Sequence, residues 1–253
     1  MSELEGTWCH LDNELRGHFG HAMTEQLSRM WAWEQVKERF PEAKALVTLN
    51  KGRYIKPWEA ELYEAAGIGR DDMVLLDHPA RVEHLISPGP MFSNPNYVHP
   101  AIAKTWRKVG DSLAAGATRT EFSDRIFCSR TIEKRSCHNR EEVEQLFADR
   151  GFEIVFPEEH SVADQVQMFR HADVVAGFAG SGLFQLALVG APKHVVIVAS
   201  DRYTARNEYL MASVLGHSID QVTCRPDEPH FQSDFTFDHM REGQWLAKVL
   251  EAL

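Results

Sequence analysis

The sequence predicts an α/β protein of two lobes, and three observations carry that prediction. Runs of apolar, β-branched residues alternate with segments of helical period from end to end. A short small-residue stretch, Ala114–Glu121, separates a helix from a strand near the middle and marks the boundary between lobes 1–116 and 117–253. At 253 residues the chain is long enough to bury a real core, as one large domain or as two lobes of ordinary size, and its composition is that of a folded globular protein.

Taken in order, the expected strands are Ala45–Leu49, Met73–Leu76, Val82–Ile86, Arg125–Ser129, Phe152–Phe156, Asp173–Phe178 and His194–Ala199. The expected helices are Gly20–Arg39, Pro57–Ala66, Val98–Leu113, Arg140–Arg150, Val162–His171, Gly182–Val189, Thr204–Leu215 and Phe237–Ala252. Ser87–Asn96, rich in Pro, Gly and Asn, has neither period and is expected to be an exposed loop.

A formal charge of −10 argues against a protein that coats nucleic acid or an anionic membrane, so any phosphate site must be local. No apolar run approaches the ~20 residues of a membrane span, and the start Met-Ser-Glu-Leu-Glu is not that of a signal peptide. Cys9, Cys128, Cys137 and Cys224 form no C-x-x-C pair, and reduced thiols in the cytoplasm are the simplest expectation.

Two segments of the C-terminal half carry the chemistry of an anion site. Strand Arg125–Ser129 runs into a polar loop holding Arg130, Arg135, Asn139 and Glu141, at the carboxyl end of a strand, where open α/β sheets bind ligands. Two arginines and the Ser129 hydroxyl there could fork onto pyrophosphate oxygens; the alternative is that Arg130, Lys134 and Arg135 form a solvated basic turn. Further on, the buried strand ending at Gly177 leads through Phe178-Ala179-Gly180-Ser181-Gly182-Leu183 into an apolar helix. Glycines let backbone approach a ligand, and a helix N-terminus offers N–H groups to phosphate, although a tight turn alone would also select glycine. The spacing is neither G-x-G-x-x-G, nor a P-loop, nor a G-x-S-x-G elbow.

Read together, Ser129-Arg130, Arg135, Asn139, Gly151-Phe152-Glu153-Ile154-Val155, Pro157-Glu158, Ser161, Gln165, Ala172-Asp173-Val174 and Gly177 to Leu183 resemble the signature of glycosyltransferase family 61 over about the last half of the chain. In the glycine turn the family's usual histidine is replaced by Ala179, and its small residue before the last glycine is Ser181. The stretch Gly17 to Arg29 resembles the family's other motif, a His followed four residues later by an acid, here His21 and Glu25. One turn apart on one helical face, the pair could deprotonate a hydroxyl, with Glu25 as base or His21 as base oriented by Glu25; a surface pair or an interface histidine is the plainer alternative. Met30, Trp31 and Trp33 are expected to be helix core rather than a sugar platform.

The resemblance implies two Rossmann-like lobes of the GT-B kind, with a nucleotide-sugar cleft between them. It implies an inverting transfer from a nucleotide-sugar, UDP-type being expected, to a glycan or other hydroxyl acceptor. The residues carried over are Ser129, Arg130, Arg135, Asn139, Glu158, Ser161, Gln165, Gly177, Gly180, Ser181, Gly182 and Leu183 for the donor and His21 with Glu25 for the chemistry. No D-x-D occurs, so neither metal nor other cofactor is expected, fixed cations and dipoles serving instead. The alternatives are a non-catalytic relative that binds nucleotide-sugar or glycan, suggested by Ala179, and a small metal-dependent hydrolase using His18, His21 and Glu25 at i, i+3 and i+7.

Overall fold

A computed structural model describes residues 2–12, 15–49, 54–131 and 134–253, and the chain divides into two compact units, Met1–Gly116 and Ala117–Leu253. Both are α/β with parallel sheets.

The first unit contains β1 (Ser2–His10), α1 (Phe19–His21), α2 (Trp33–Arg39), β2 (Lys44–Thr48), α3 (Pro57–Ala65), β3 (Met73–Leu76), β4 (Ala80–Ile86), the short strands β5 (Phe92–Ser93) and β6 (Tyr97–Val98), and α4 (Ile102–Ala114). Its sheet has the order β3-β2-β1-β4, every pair parallel. Sequence reading missed β1 although it is interior to the sheet. Glu3, Glu5 and the central Gly6 break the strand pattern, and the register with β4 shifts between Leu4 and Thr7, around Gly6 at φ 87°. The segment 87–96 is not simply a loop, since Phe92–Ser93 pairs antiparallel with Tyr97–Val98 and Phe92 is buried. The helix that follows begins at Ile102 and presents Ile102, Trp106, Val109 and Leu113, spaced four, three and four apart, to the core.

The helical stretch from Phe19 to Arg39 is continuous but changes winding: α1 passes into a π-helical turn, Ala22–Gln26, then a 3₁₀ segment, Leu27–Ala32, then α2. Met30 and Trp33 are buried, as expected for core, and the half-buried Trp31 donates its indole N–H to Gly89 O (3.1 Å).

The second unit contains β7 (Arg125–Cys128), α5 (Arg140–Ala148), β8 (Glu153–Val155), α6 (Val162–His171), β9 (Val174–Phe178), β10 (His194–Ser200), α7 (Asn207–Leu215), β11 (Ser218–Cys224) and α8 (Glu242–Glu251). Its sheet order is β11-β10-β9-β7-β8, all parallel, which counted within the unit is 2-1-3-4-5 from the β8 edge. Side chains alternate between two cores. Phe127, Ala176, Phe178, Val196, Val198 and Val222 pack with Phe147 of α5 and Leu246, Val249 and Leu250 of α8. Ile126, Cys128, Val175, Val195 and Ile197 pack with Met168 and Phe169 of α6 and with Leu183 and Leu186. Burial on both faces explains why β10 reads as an unbroken apolar run. β11 was missed because Ser218, Asp220, Gln221 and Thr223 dilute that signal at the sheet edge. The apolar segment after the glycine turn is a 3₁₀ helix, Ser181–Leu188, rather than an α-helix. The four cysteines are free and buried, and burial raises the thiol pKa of Cys9 to about 12 and of Cys137 to about 11.

Cys128 lies opposite Gly177 where β7 pairs with β9. A Cβ on Gly177 would stand 2.7 Å from Cys128 O and 2.9 Å from its Cβ, and both neighbours are held in the sheet. Gly177→Ala should therefore destabilise the protein by ~1–3 kcal/mol through overpacking, read as a lower denaturation midpoint in urea.

Candidate functional site

The strand order of the second unit reverses direction between β7 and β9, so the chain leaving these two neighbouring strands departs to opposite faces of the sheet. A crevice opens outside the carboxyl ends of strands at such a point, where ligands of doubly wound sheets bind. The residues that follow β7 are Ser129 and Arg130, and those that follow β9 are Ala179, Gly180 and Ser181.

Arg130 and Arg135 converge on the glycine turn. Gly180 has φ 137° and ψ −165°, a conformation essentially reserved for glycine. A Cβ there would meet Arg135 Nη2 at 3.3 Å and Arg130 Nη1 at 3.9 Å. Arg130 donates from Nη2 to Arg135 O (3.1 Å), and its guanidinium lies 5.6 Å from the centre of the Phe178 ring. Burial, and then the Arg135 charge beside it, lowers the Arg130 pKa to about 10, which leaves it cationic at neutral pH. Arg135 adopts a left-handed backbone, φ 53°, unusual for a residue with a side chain. Its guanidinium stands 5.4 Å from the Tyr203 ring and 5.2 Å from the Phe231 ring, and those rings stack on each other at 5.6 Å. The Arg135 Nε–H is buried without a hydrogen-bond partner among the described residues. Two crowded guanidiniums and an unpaired buried donor are costly unless an anion joins them. Lys134, by contrast, is exposed.

The turn is braced from below by a residue that sequence reasoning missed. Glu208, on α7 and 1% exposed, accepts the Gly180 N–H on Oε1 (2.9 Å) and the Tyr203 hydroxyl (3.1 Å). Burial drives its pKa up to about 7 against the opposing pull of those hydrogen bonds and of Arg135. The Gly180 N–H is therefore not available to a phosphate, contrary to the expectation for the whole glycine turn. The first N–H groups of the 3₁₀ segment, those of Ser181 and Gly182, are the ones without acceptors inside it. In the sequence Glu208 reads only as an acidic residue in the first turn of a helix, and Tyr203 and Phe231 come from separate loops, so no local spacing announces them.

The other predicted residues act at various removes from this turn. Glu158 accepts the N–H and hydroxyl of Thr131 on one oxygen, both at 2.7 Å; burial pushes its pKa up, but these bonds and Arg130 outweigh it and hold the carboxyl below its ordinary range. The Ser129 hydroxyl is buried and donates to Glu144. Asn139 is spent on the backbone of Phe237, accepting its N–H and donating to its carbonyl, both at 3.0 Å. Gln165 donates to His160 O (3.0 Å) and accepts from Gln185 behind the 3₁₀ segment. Leu183 is core, Gly177 is sheet, and Ser181 and Gly182 are half-buried. Ser161 is the N-cap of α6: its Oγ accepts the Asp164 N–H (3.1 Å) and the hydroxyl donates back to Asp164 Oδ2 (2.7 Å).

In the first unit His21 Nδ1 lies 2.8 Å from Glu25 Oε1 at the π-helical turn, both side chains about one-third exposed (32% and 39%). A carboxylate only accepts, so it is the Nδ1–H of His21 that donates to Glu25. The His18 ring meets that of His21 edge-on at 4.7 Å. Among the described residues no group of three or more His, Cys, Asp or Glu side chains could hold a metal ion. Nor is any described helix long and apolar enough to cross a membrane.

Comparison with known families matches residues 19–198 to glycosyltransferase 61, a span that includes both the His21–Glu25 turn and the arginine–glycine site. No curated protein matches the chain.

Ser161→Ala should lower stability by about 1 kcal/mol through loss of the α6 cap. Inorganic pyrophosphate binding, followed by calorimetry, should remain at the wild-type affinity, because the hydroxyl serves the helix.

Proposed function

The chain belongs to glycosyltransferase family 61, and from that premise we propose that it is a metal-independent, inverting enzyme that transfers sugar from a nucleotide-sugar to a glycan or other hydroxyl acceptor. The observation that carries this reading is the convergence of Arg130 and Arg135 on the Gly180 turn, at the reversal of strand order. A diphosphate is the ligand whose charge and oxygen spacing best suit two guanidiniums beside the Ser181 and Gly182 N–H groups. The architecture implied is the GT-B kind, two Rossmann-like lobes, with the donor assigned to the second. A UDP-type donor is the first to test. Four free, buried thiols support a reducing, cytoplasmic setting.

In the transfer, the acceptor oxygen attacks the anomeric carbon while the bond from that carbon to the diphosphate breaks with inversion. The electron pair leaves on the diphosphate, whose charge the fixed cations and N–H groups take up without a divalent ion. The acceptor proton passes to His21 Nε2, with Glu25 orienting the ring through Nδ1 and stabilising the imidazolium. The side chain absent at Ala179 is not required, since the phosphate contacts are guanidinium and backbone.

Calorimetry in EDTA should detect binding of a nucleoside diphosphate; a strict requirement for Mg²⁺ or Mn²⁺ would refute metal independence. A charge-assisted hydrogen bond is worth ~1.5–3 kcal/mol, so Arg135→Ala should weaken binding about tenfold or more. Lys134→Ala should leave it nearly unchanged, and equal small effects would return the loop to a solvated turn.

His21→Ala should lower sugar transfer by about 10²–10⁴-fold with little change in nucleotide affinity. Loss of the Glu25 carboxylate should also slow transfer, and the two losses should not multiply in the double variant, as for groups acting as a unit. Wild-type protein that bound nucleotide-sugar but transferred and hydrolysed nothing across a broad acceptor panel would make the chain a binding relative instead.

A further inference from the structure

Beneath the proposed diphosphate site lies a carboxyl group that the transfer chemistry does not use. Glu208 is 1% exposed and holds the Gly180 N–H on Oε1, the same turn against which the Arg130 and Arg135 guanidiniums rest. Its second contact, the Tyr203 hydroxyl, reaches Oε1 at 3.1 Å and Oε2 at 3.4 Å, and the Tyr203 ring in turn faces Arg135 and stacks on Phe231. The carboxyl group therefore sets both the backbone of the turn and the aromatic surface beside the arginine. It lies outside the residues matched by the family.

Resting on the donor-site reading above, we infer that Glu208 is the positioning residue of this site, and that donor binding is coupled to uptake of one proton by its carboxyl group. The reason is electrostatic. When ionised, Glu208 offsets part of the charge of Arg135, so a diphosphate arriving on the other side of the turn adds two negative charges close to a third in a medium of low dielectric. When a solvent proton attaches to Oε2, Oε1 still accepts the Gly180 N–H, while the new O–H donates to the Tyr203 oxygen. The turn keeps its shape and both arginines are left to the ligand. The groups facing the carboxyl are Arg135 from the loop after β7, Tyr203 and Tyr209 from the segment around the start of α7, and the Gly180 amide; the 3₁₀ segment Ser181–Leu188 brings no charged side chain. Arg135 and the Tyr203 hydroxyl pull toward the ionised form and burial against it, which leaves the group titrating at about 7, where a nearby anion tips the balance.

Nucleotide-sugars are the probe, because their diphosphate is doubly esterified and does not titrate near neutrality. For the wild type the affinity should fall about tenfold between about pH 6 and pH 8.5, and calorimetry at pH 7 in buffers of different ionisation enthalpy should reveal fractional proton uptake. Glu208→Gln keeps an acceptor for Gly180 but cannot ionise. Its affinity should vary less than about twofold over the same range, with no buffer-dependent heat. Tyr203→Phe removes a donor that favours the ionised form, so the midpoint of its profile should shift to higher pH, which also tests the idea should Glu208→Gln fail to fold. If Glu208→Gln follows the wild-type profile, or Tyr203→Phe leaves the midpoint in place, the role of Glu208 is overturned while the donor site stands. If wild type binds no nucleotide-sugar at any pH, the donor-site reading falls and this inference falls with it.

Discussion

Parallel pairing of β7 with β9, with Cys128 directly opposite Gly177, governs where the charged groups of the second unit can go. Because Gly177 has no side chain, the Cys128 carbonyl, its Cβ and Leu183 close over that position. Both strands therefore end at one level, and the loops that leave them start side by side. Arg130 leaves one strand and Gly180 the other within two residues of their ends, so their meeting follows from the pairing and needs no long-range coincidence. Arg135 is brought back to the same point by a left-handed backbone step and by the hydrogen bond from Arg130 to its carbonyl.

The glycine turn has a second support, and the two supports differ in kind. Apolar packing through Leu183 fixes where the 3₁₀ segment lies, whereas the Glu208 carboxyl fixes how the Gly180 peptide is oriented. The first is insensitive to solution conditions. The second depends on the charge of one buried group, and the neighbouring Arg135 feels that charge directly.

Much of the fold was legible because local chemistry and tertiary structure agree. Met73–Leu76 and Val162–His171 have in the structure the bounds read from the sequence, the latter because Ser161 is a hydrogen-bonded cap and the helix stops before Ala172. β1 and β11 were lost where charge, glycine or edge polarity masked the strand period. The site divides along the same line. Arg130, Arg135 and Gly180 stand out because each follows a strand end within one motif. Glu208 and Tyr203, five residues apart, and Phe231, from a loop after β11, acquire meaning only when folding gathers them at the glycine turn. Polar residues of the motif such as Asn139 and Ser161 show the converse: their side chains are consumed by Phe237 and Asp164, a distinction that spacing alone does not make.

The burial of all four thiols gives the protein an internal reporter of its own opening. A thiol shielded from water and held in its protonated form reacts with alkylating reagents only when the surrounding structure yields. Cys9 sits on an interior strand of the first sheet, while Cys128 and Cys224 lie at the ends of strands in the second and Cys137 in its core. Rates of labelling at Cys9 and at the other three thus read the breathing of each unit separately, in the unaltered sequence and without a foreign dye.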